Sequence, residues 1–397
     1  MSGRWTEILG ERLDAPGREL VTAATALVPL LAANADRADA EGRIPEENLA
    51  ALREAGLLRL GVPRALGGHG VRVGTLLAVC TELGRGCAST AWVTALFGSG
   101  GAVAGLVGDA VRAEIWGSSP DITLSSAVGV PVPVRQVSGG YVLDGRWGWV
   151  SGIRHSDWVG LDVLGEREGG SAQRAMAFVP VTAVSVEDTW DMAGMRGTGS
   201  DTVVAEDLFV PDDRMLWFAD AAAGVYHRGG DGEMATRLLF PVTAMVSFVA
   251  PVLGLGVAVY EHIVGILTAG RSVVSGSRLH DLARDTPGVQ AGVVDAAALI
   301  DGAMLRMAWA AGELDRAALA GVIPPETAGV RMRVDFAHAA RSIRQAADML
   351  LDVGGASRFA LADPAQRMWR DLGTATRHPA FVTEVNRERY GQLLLAE

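Results

Sequence analysis

The stretch that decides the fold lies between residues 190 and 211 and reads Trp190-Asp191-Met192-Ala193-Gly194-Met195-Arg196-Gly197-Thr198-Gly199-Ser200-Asp201-Thr202-Val203-Val204-Ala205-Glu206-Asp207-Leu208-Phe209-Val210-Pro211. Its first half places three glycines around a Met-Arg pair, which indicates a tight, ordered loop whose backbone must approach another surface closely. Its second half alternates apolar and polar residues, so we predict a half-buried strand from about Asp201 to Val210. A long helical region follows, so a β-rich module ends here with helices on both sides.

Short β-compatible runs separated by turn residues precede this stretch. They occupy residues 122–126, 130–137, 141–145 and 158–164. Their length and their β-branched and aromatic content predict a small barrel or two packed sheets over residues 120–212.

Helical periodicity marks the rest of the chain. The first 118 residues predict an α module, and four long helices are expected at about 234–266, 287–317, 326–353 and 363–394. Long apolar helices with short connections are typical of a bundle. We therefore predict an α+β protein with an N-terminal helical domain (1–118), a central β domain (119–215) and a C-terminal four-helix bundle (216–397).

Composition excludes several classes of protein. The chain has 397 residues, 49% of them hydrophobic, and a net charge of −11 without a basic cluster, which argues against a nucleic-acid partner. Cys80 and Cys87 lie in one helical stretch without ligand-like histidines and are expected to be core residues in a reducing compartment. Residues 238–260 are interrupted by glycines and prolines, which favours a buried bundle helix over a membrane span. We expect a cytoplasmic protein with no metal site.

Several motifs in the same order resemble those of the acyl-CoA dehydrogenase superfamily. They are residues 147–152 (Trp-Gly-Trp-Val-Ser-Gly), 156–158, the stretch 190–211, residues 354–357, residues 366–371 and His378. The resemblance covers nearly the whole chain. It implies the three-part fold predicted above, a flavin between the β domain and the bundle, and a homotetramer built as a dimer of dimers.

This superfamily holds two chemistries, and the residues at the base positions distinguish them. In the dehydrogenases, a glutamate abstracts a proton from an acyl thioester, either eight residues after the motif that matches Arg370-Asp371 or on the first bundle helix. Those positions are Pro379 and Ala244 here, and neither residue can take a proton. Unless Glu384 or another acid has moved into the site, dehydrogenation lacks its base.

His378 points to the other branch, the two-component flavin-dependent monooxygenases, which include p-hydroxyphenylacetate hydroxylase and dibenzothiophene monooxygenase. These enzymes receive reduced FMN or FAD from a separate NAD(P)H:flavin reductase and add O2 at flavin C4a to form a hydroperoxide. Their histidine follows the matching Arg-Asp by seven residues, as His378 follows Asp371. An imidazole there can deprotonate a phenol-like substrate or help to handle the peroxide proton. A helix-capping or salt-bridging role near Arg377 is the structural alternative.

The same resemblance implies a role for Ser151 and its tryptophan neighbours. It places the Ser151 hydroxyl by flavin N5 and packs Trp149 against the isoalloxazine ring. Ser151 could instead be a simple turn residue. A Trp-rich surrounding, with Trp92 as a candidate substrate contact, suits a site that must exclude water, although Trp92 could serve the core alone.

Further cofactor contacts follow from the resemblance. Ser125 and Ser126 match the strand that offers hydroxyl and backbone groups to flavin, and Gly354 and Gly355 match glycines where a neighbouring subunit approaches the cofactor. Arg271 matches the arginine that binds flavin phosphate, a natural task for a guanidinium; stabilising a helix end is its alternative. Val274 replaces the aromatic residue usual three positions later.

The sequence therefore predicts a flavin-dependent monooxygenase acting on a small aromatic or polyketide-like substrate. The alternatives are an acyl-CoA or acyl-carrier-protein dehydrogenase and a non-catalytic flavin-binding protein. The loop from Gly194 to Ser200 is expected to be architectural as much as functional, and it is assigned no catalytic role. It lacks the strand-turn-helix context of a dinucleotide-binding motif.

Overall fold

The chain folds as helices, then strands, then helices. The computed structural model describes residues 2–167, 170–226, 240–272, 279–382 and 384–396. The N-terminal helices are α1 Ser2–Gly10, α2 Ala15–Ala33, α3 Ala35–Glu41, α4 Glu46–Glu54, α5 Val73–Gly86, α6 Ala88–Ala104 and α7 Asp109–Trp116. The strands are β1 Leu124–Pro133, β2 Arg135–Val137, β3 Gly140–Val150, β4 Trp158–Glu166, β5 Ala172–Pro180, β6 Ser185–Glu187, β7 Asp201–Pro211 and β8 Met215–Trp217. The later helices are α8 Phe218–Ala222, α9 Phe240–Thr268, α10 Pro287–Ala320, α11 Glu326–Gly354, α12 Pro364–Ala375 and α13 Glu384–Leu395.

The strands form two sheets of four strands with the orders β1-β4-β5-β8 and β2-β3-β7-β6. β1 and β4 pair in parallel, and the other pairs are antiparallel. Of the two arrangements that the sequence predicts, packed sheets are observed. The strand predicted after the glycine-rich loop is β7, whereas β5, β6 and β8 were not predicted.

The N-terminal helices and the bundle share one hydrophobic core, which runs from Trp5 to Phe381. The close contact is between α5 and α9, where a Cβ on Gly254 would lie 2.1 Å from the Thr81 carbonyl oxygen. Only glycine permits the two backbones to approach this closely. The sheets enclose a second core of their own. Because the N-terminal helices and the bundle share a core, the three-domain division with boundaries at residues 118 and 215 stays a prediction.

The predicted continuous helix over residues 363–394 is wrong. α12 ends at Ala375, and α13 begins only at Glu384. Pro379 explains the break, because proline lacks the N–H that a helix interior needs and disfavours helical backbone at the residue before it. Because of this interruption, His378 lies in the connection between α12 and α13 and not inside a helix.

Two of the described helical stretches are long and apolar enough to cross a membrane. They are Ala244–Thr268, which is 83% buried inside the fold, and Pro287–Ala320, which is 28% buried. The first is thus a core helix, as its interrupted sequence predicted. Cys80 and Cys87 are buried and unpaired.

Candidate active site

A cavity of about 610 Å³ lies between the β module, α6 and the bundle. This volume is within the range that small ligands and cofactors occupy. Four residues predicted for the site line it: Trp92, Trp149, Ser151 and His378. The other lining residues are Trp190, Met192, Ala193, Met195, Thr198, Ser200, Arg344, Asp348, Trp369, Arg370, Leu372, Gly373, Thr374, Ala375 and Arg377.

A strained turn at the end of β3 presents two of these side chains. Trp149 has a φ of 65°, and the register of β3 against β7 shifts between Trp147 and Val150. A left-handed backbone at a non-glycine residue costs about 1–2 kcal/mol, and such strain is concentrated at functional sites. Gly152 follows with a φ of 76°, and a Cβ there would lie 2.6 Å from Val93 Cγ1. The turn leaves the Trp149 side chain 64% exposed along the cavity.

Ser151 stands in a line of hydroxyl groups at the cavity wall. Its Oγ accepts the Trp92 Nε1–H at 3.3 Å and lies 2.8 Å from Ser200 Oγ. Ser200 Oγ is in turn 2.7 Å from Thr198 Oγ1, whose hydroxyl donates to the Met195 carbonyl at 2.8 Å. The sequence predicts no catalytic role for the loop that carries Ser200 and Thr198, and the structure adds that both side chains line the cavity. No spacing in the sequence shows that these hydroxyls lie beside Ser151.

α12 fixes the loop that carries these hydroxyls. The buried Asp371 carboxylate accepts the Met195 N–H at 2.6 Å, and burial raises the pKa of Asp371 to about 6. A Cβ on Gly194 would lie 2.1 Å from the Arg370 carbonyl oxygen. The glycine therefore permits the close backbone approach that the sequence predicted.

His378 lines the cavity and also has the capping role that the sequence left open. Its Nδ1 accepts the Ala380 N–H at 3.2 Å, so it caps the short turn that begins at Pro379. Its ring also stacks on Phe248, with centroids 4.2 Å apart, and meets the edge of Trp92 at 5.6 Å. Among the described residues it forms no salt bridge with a carboxylate, and the guanidinium of the neighbouring Arg377 donates to the Gly373 carbonyl at 2.6 Å. His378 is thus held rigidly at the cavity wall.

These contacts define the protonation state of His378. Because Nδ1 accepts a backbone N–H, the proton of the neutral ring resides on Nε2. Burial among aromatic rings lowers the pKa of His378 to about 4, so the ring is neutral at pH 7. A neutral ring with Nδ1 engaged can donate from Nε2, but it can accept a proton only by breaking the bond to Ala380. The geometry favours a hydrogen-bond donor over a general base.

Arginines set the charge of the cavity. Arg344 and Arg377 line it, and within the described part of the chain neither forms an ion pair with a carboxylate; Arg344 donates to the Thr376 hydroxyl at 3.3 Å. Arg370 is paired with Asp39 at 2.9 Å. The wall is therefore positively charged on this side, which suits an anionic ligand.

The positions where the dehydrogenases carry their base provide none here. Pro379 and Ala244 do not line the cavity, and neither does Glu384. Glu261, also on α9, is bound by Arg85 at 2.7 Å. Among the described lining residues the one carboxylate is Asp348, which is exposed and accepts the Trp369 Nε1–H at 3.1 Å.

Ser125 and Ser126 do not reach the cavity. The buried Ser125 hydroxyl lies 2.7 Å from the Ser151 carbonyl oxygen and 2.6 Å from Ser156 Oγ, so it supports the turn instead. Trp147 points into the sheet core, where its Nε1 donates to the Asp162 carbonyl. Ser125 therefore positions Ser151, and Trp147 is no part of the wall.

Arg271, Gly354 and Gly355 form a group apart from the cavity. Arg271 Nη1 donates to the Val353 carbonyl at 2.9 Å, and a Cβ on Gly355 would lie 3.1 Å from Arg271 Nη2. Gly355 has a φ of 73°, which favours glycine. The three residues lie together at the end of α11, where Gly354 is buried and Arg271 and Gly355 are partly buried. Their cofactor roles stay predictions. Val274 lies outside the described residues.

Comparison with known proteins agrees with this architecture. Residues 20–110 match the model of the acyl-CoA dehydrogenase N-terminal domain, and residues 246–383 match that of the C-terminal domain. The chain is 28% identical to the oxygenase subunit HsaA, a flavin-dependent monooxygenase of Rhodococcus jostii (strain RHA1), over 92% of this chain and 95% of that protein. It is 29% identical to the oxygenase component of an FADH2-dependent resorcinol hydroxylase from Rhizobium sp. (strain MTP-10005), over 96% and 95% of the two chains.

A solved structure extends the likeness to three dimensions. XiaF from Streptomyces sp., in complex with FADH2 and glycerol, superimposes with a TM-score of 0.86 at 29% identity over 96% of both chains. The helical ends, the two central sheets and the matches to both terminal domains lead to one assignment. The chain belongs to the acyl-CoA dehydrogenase family.

Proposed function

We propose that this chain is the oxygenase component of a two-component flavin-dependent monooxygenase. It uses reduced FMN or FAD and O2 to hydroxylate a small aromatic or polyketide-like substrate. The observation that carries the proposal is one cavity in which the Ser151 hydroxyl and a neutral His378 stand among tryptophans, while Pro379 and Ala244 occupy the base positions of the dehydrogenases. Reduced flavin, when bound, supplies the reducing equivalents that activate O2.

The cavity residues fit a flavin. Trp149 offers a flat exposed surface for a ring, and Ser151 offers a hydroxyl at the wall. Arg344 and Arg377 supply positive charge for an anionic cofactor. Trp92, Trp190 and Leu372 provide apolar surface that limits the access of water to the reacting atoms.

His378 orients the substrate by donating from Nε2 to an oxygen atom of it. The Ala380 N–H holds the tautomer, and stacking on Phe248 holds the ring plane. A rigid donor of this kind costs no reorganisation when substrate binds. Relatives named for resorcinol and p-hydroxyphenylacetate support an aromatic substrate with a hydroxyl group that can accept this bond.

The proposal includes a separate NAD(P)H:flavin reductase, a cytoplasmic location and a homotetramer. Relatives named as oxygenase components support a reductase partner. The group of Arg271, Gly354 and Gly355 lies away from the cavity, so we assign it to the flavin phosphate of a neighbouring subunit. This assignment requires at least a dimer, and a dimer of dimers provides it.

The test is product formation from defined components. The protein is mixed with FMN or FAD, NADH, a general flavin reductase and a panel of phenols that includes resorcinol and p-hydroxyphenylacetate, under ¹⁸O2. We expect a hydroxylated product that carries one ¹⁸O atom. Conversion of an acyl-CoA to its enoyl product, with no labelled phenol in the panel, would instead support the dehydrogenase.

A further inference from the structure

We propose that Ser200 and Thr198 are positioning residues that make the cavity select reduced over oxidised flavin. Ser200 accepts a hydrogen bond from the Ser151 hydroxyl, and Thr198 accepts one from Ser200. Ser151 therefore presents only a hydrogen-bond acceptor to its ligand. This inference rests on the proposed function and concerns which redox form of the cofactor the site recognises.

The orientation of the hydroxyl protons follows from counting. The line from Trp92 to the Met195 carbonyl contains four hydrogen bonds: Trp92 to Ser151, Ser151 to Ser200, Ser200 to Thr198, and Thr198 to the carbonyl. The indole N–H and the three hydroxyls supply one proton each, which gives four protons for four contacts. Only one assignment places a proton in every contact.

The assignment begins at the carbonyl, which can only accept. Thr198 must donate to Met195 O, so Ser200 must donate to Thr198, and Ser151 must donate to Ser200. The Trp92 indole can only donate, and it occupies one lone pair of Ser151. Ser151 is left with one lone pair and no proton for the cavity.

The end of the line is fixed. The Met195 carbonyl also accepts the Trp190 Nε1–H at 3.0 Å, and the Met195 N–H is held by the buried Asp371 carboxylate. Ser200 and Thr198 line the cavity but are only 3% and 2% exposed, so their hydroxyls are largely shielded from water. The polarity of the line is therefore built into the fold.

The two redox forms of flavin differ at the atom concerned. N5 of reduced flavin carries a hydrogen and donates, whereas N5 of oxidised flavin has a lone pair and accepts. An acceptor at Ser151 bonds the first and repels the second. An enzyme that is handed its flavin in the reduced form would thereby retain it and release it once oxidised.

The test compares dissociation constants of FMN in its two forms, with the reduced form measured anaerobically and FAD run in parallel. We expect the wild type to bind reduced flavin more tightly. In Thr198→Val, the protons of Ser200 and Ser151 are free to turn towards the cavity. We expect the ratio of the oxidised to the reduced dissociation constant to fall about fivefold, from the worth of one hydrogen bond. For a two-electron couple at 29.6 mV per tenfold, this lowers the potential of the bound flavin by about 20 mV.

Thr94→Val is the matched control. The Thr94 hydroxyl is equally buried and donates to the Thr90 carbonyl at 2.8 Å, outside the line from Trp92 to Met195. It should leave the ratio unchanged, and Thr198→Ser should restore it. In a Ser151→Ala background Thr198→Val should have no further effect, because Thr198 acts through Ser151.

Ser200→Ala should repeat the effect if Thr198→Val fails to fold. If the wild type prefers reduced flavin and Thr198→Val and Ser200→Ala both keep its ratio of oxidised to reduced dissociation constants, the positioning role is overturned and the proposed function stands. A wild type that binds neither flavin, or binds both forms equally, would overturn this inference; absence of binding would also remove the monooxygenase proposal.

Discussion

Replacing His378 by asparagine separates two functions of this residue: accepting the Ala380 N–H at Nδ1 and donating a hydrogen bond from Nε2. Asn Oδ1 can take over the acceptor role of Nδ1 toward the Ala380 N–H, because asparagine is a good cap residue. The variant should therefore fold and bind reduced flavin. It lacks the Nε2–H, so we expect product formed per flavin oxidised to fall at least about tenfold, as when a directional hydrogen bond of about 1.4 kcal/mol is lost from a site.

The same variant measures the protonation state of His378 through stability. The folded pKa of about 4 lies below the ordinary 6.5, so the neutral ring favours the folded state above pH 6.5, and this stability is lost as the pH falls toward 4. Between about pH 7.5 and about pH 5.5 the loss is about 1.3 kcal/mol, and His378→Asn should abolish it. Asp315 and Asp371, whose pKa values are raised to about 6, titrate alike in both proteins.

Urea unfolding at the two pH values supplies the numbers, and the wild-type free energy minus that of the variant isolates His378. The rate of substrate hydroxylation is followed over the same range. We expect no ionisation of His378 in the wild-type profile above about pH 5. A step between about pH 6 and pH 7 that disappears in His378→Asn, with no difference in the pH dependence of stability, would refute the neutral donor and favour a general base.

Three further outcomes follow from the geometry. Gly152→Ala should destabilise the protein by more than about 1 kcal/mol in thermal or urea unfolding, because alanine is strained at its φ and would contact Val93, and wild-type stability would contradict the described turn. Asp371→Ala should lower the free energy of unfolding by about 1–3 kcal/mol, because it leaves the Met195 N–H without a partner. Asp371→Asn should cost less, because it keeps an acceptor and removes an ionisation that lowers stability as the pH rises through 6. An equal loss of stability in both variants would show that the charge itself is needed. Anaerobic addition of octanoyl-CoA should leave bound oxidised flavin unreduced, because Pro379 and Ala244 cannot take a proton, and bleaching of the flavin absorbance would contradict this.

Much of the fold was predictable from local patterns. The alternation after the glycine-rich loop predicted β7, and the helical periodicity predicted α9, α10 and α11. The prediction of one helix over residues 363–394 was wrong because it followed the helical periodicity on both sides of Pro379 and did not allow for the break at that proline. The three missed strands are short or carry little alternation, and β5 is buried over half its length. Pattern alone does not separate such a run from other buried segments.

The site was predictable only where a family motif marked it. Ser151, Trp149, Trp92 and His378 do meet at one cavity, as the resemblance implied. Ser200 and Thr198 were not assigned, because no spacing in the sequence shows that their hydroxyls meet Ser151 across the loop. The protonation state of His378 could not be predicted from the sequence either, because it depends on the Ala380 N–H and on the Phe248 ring from α9.

The central claim is that this cavity brings reduced flavin and O2 together for oxygenation. The most direct measurement is stopped-flow absorbance after anaerobic protein with bound reduced FMN or FAD is mixed with oxygenated buffer. The account predicts a transient near-ultraviolet absorbance before oxidised flavin appears, with a shorter life in Ser151→Ala. Reoxidation in a single step at the rate of free flavin would contradict it.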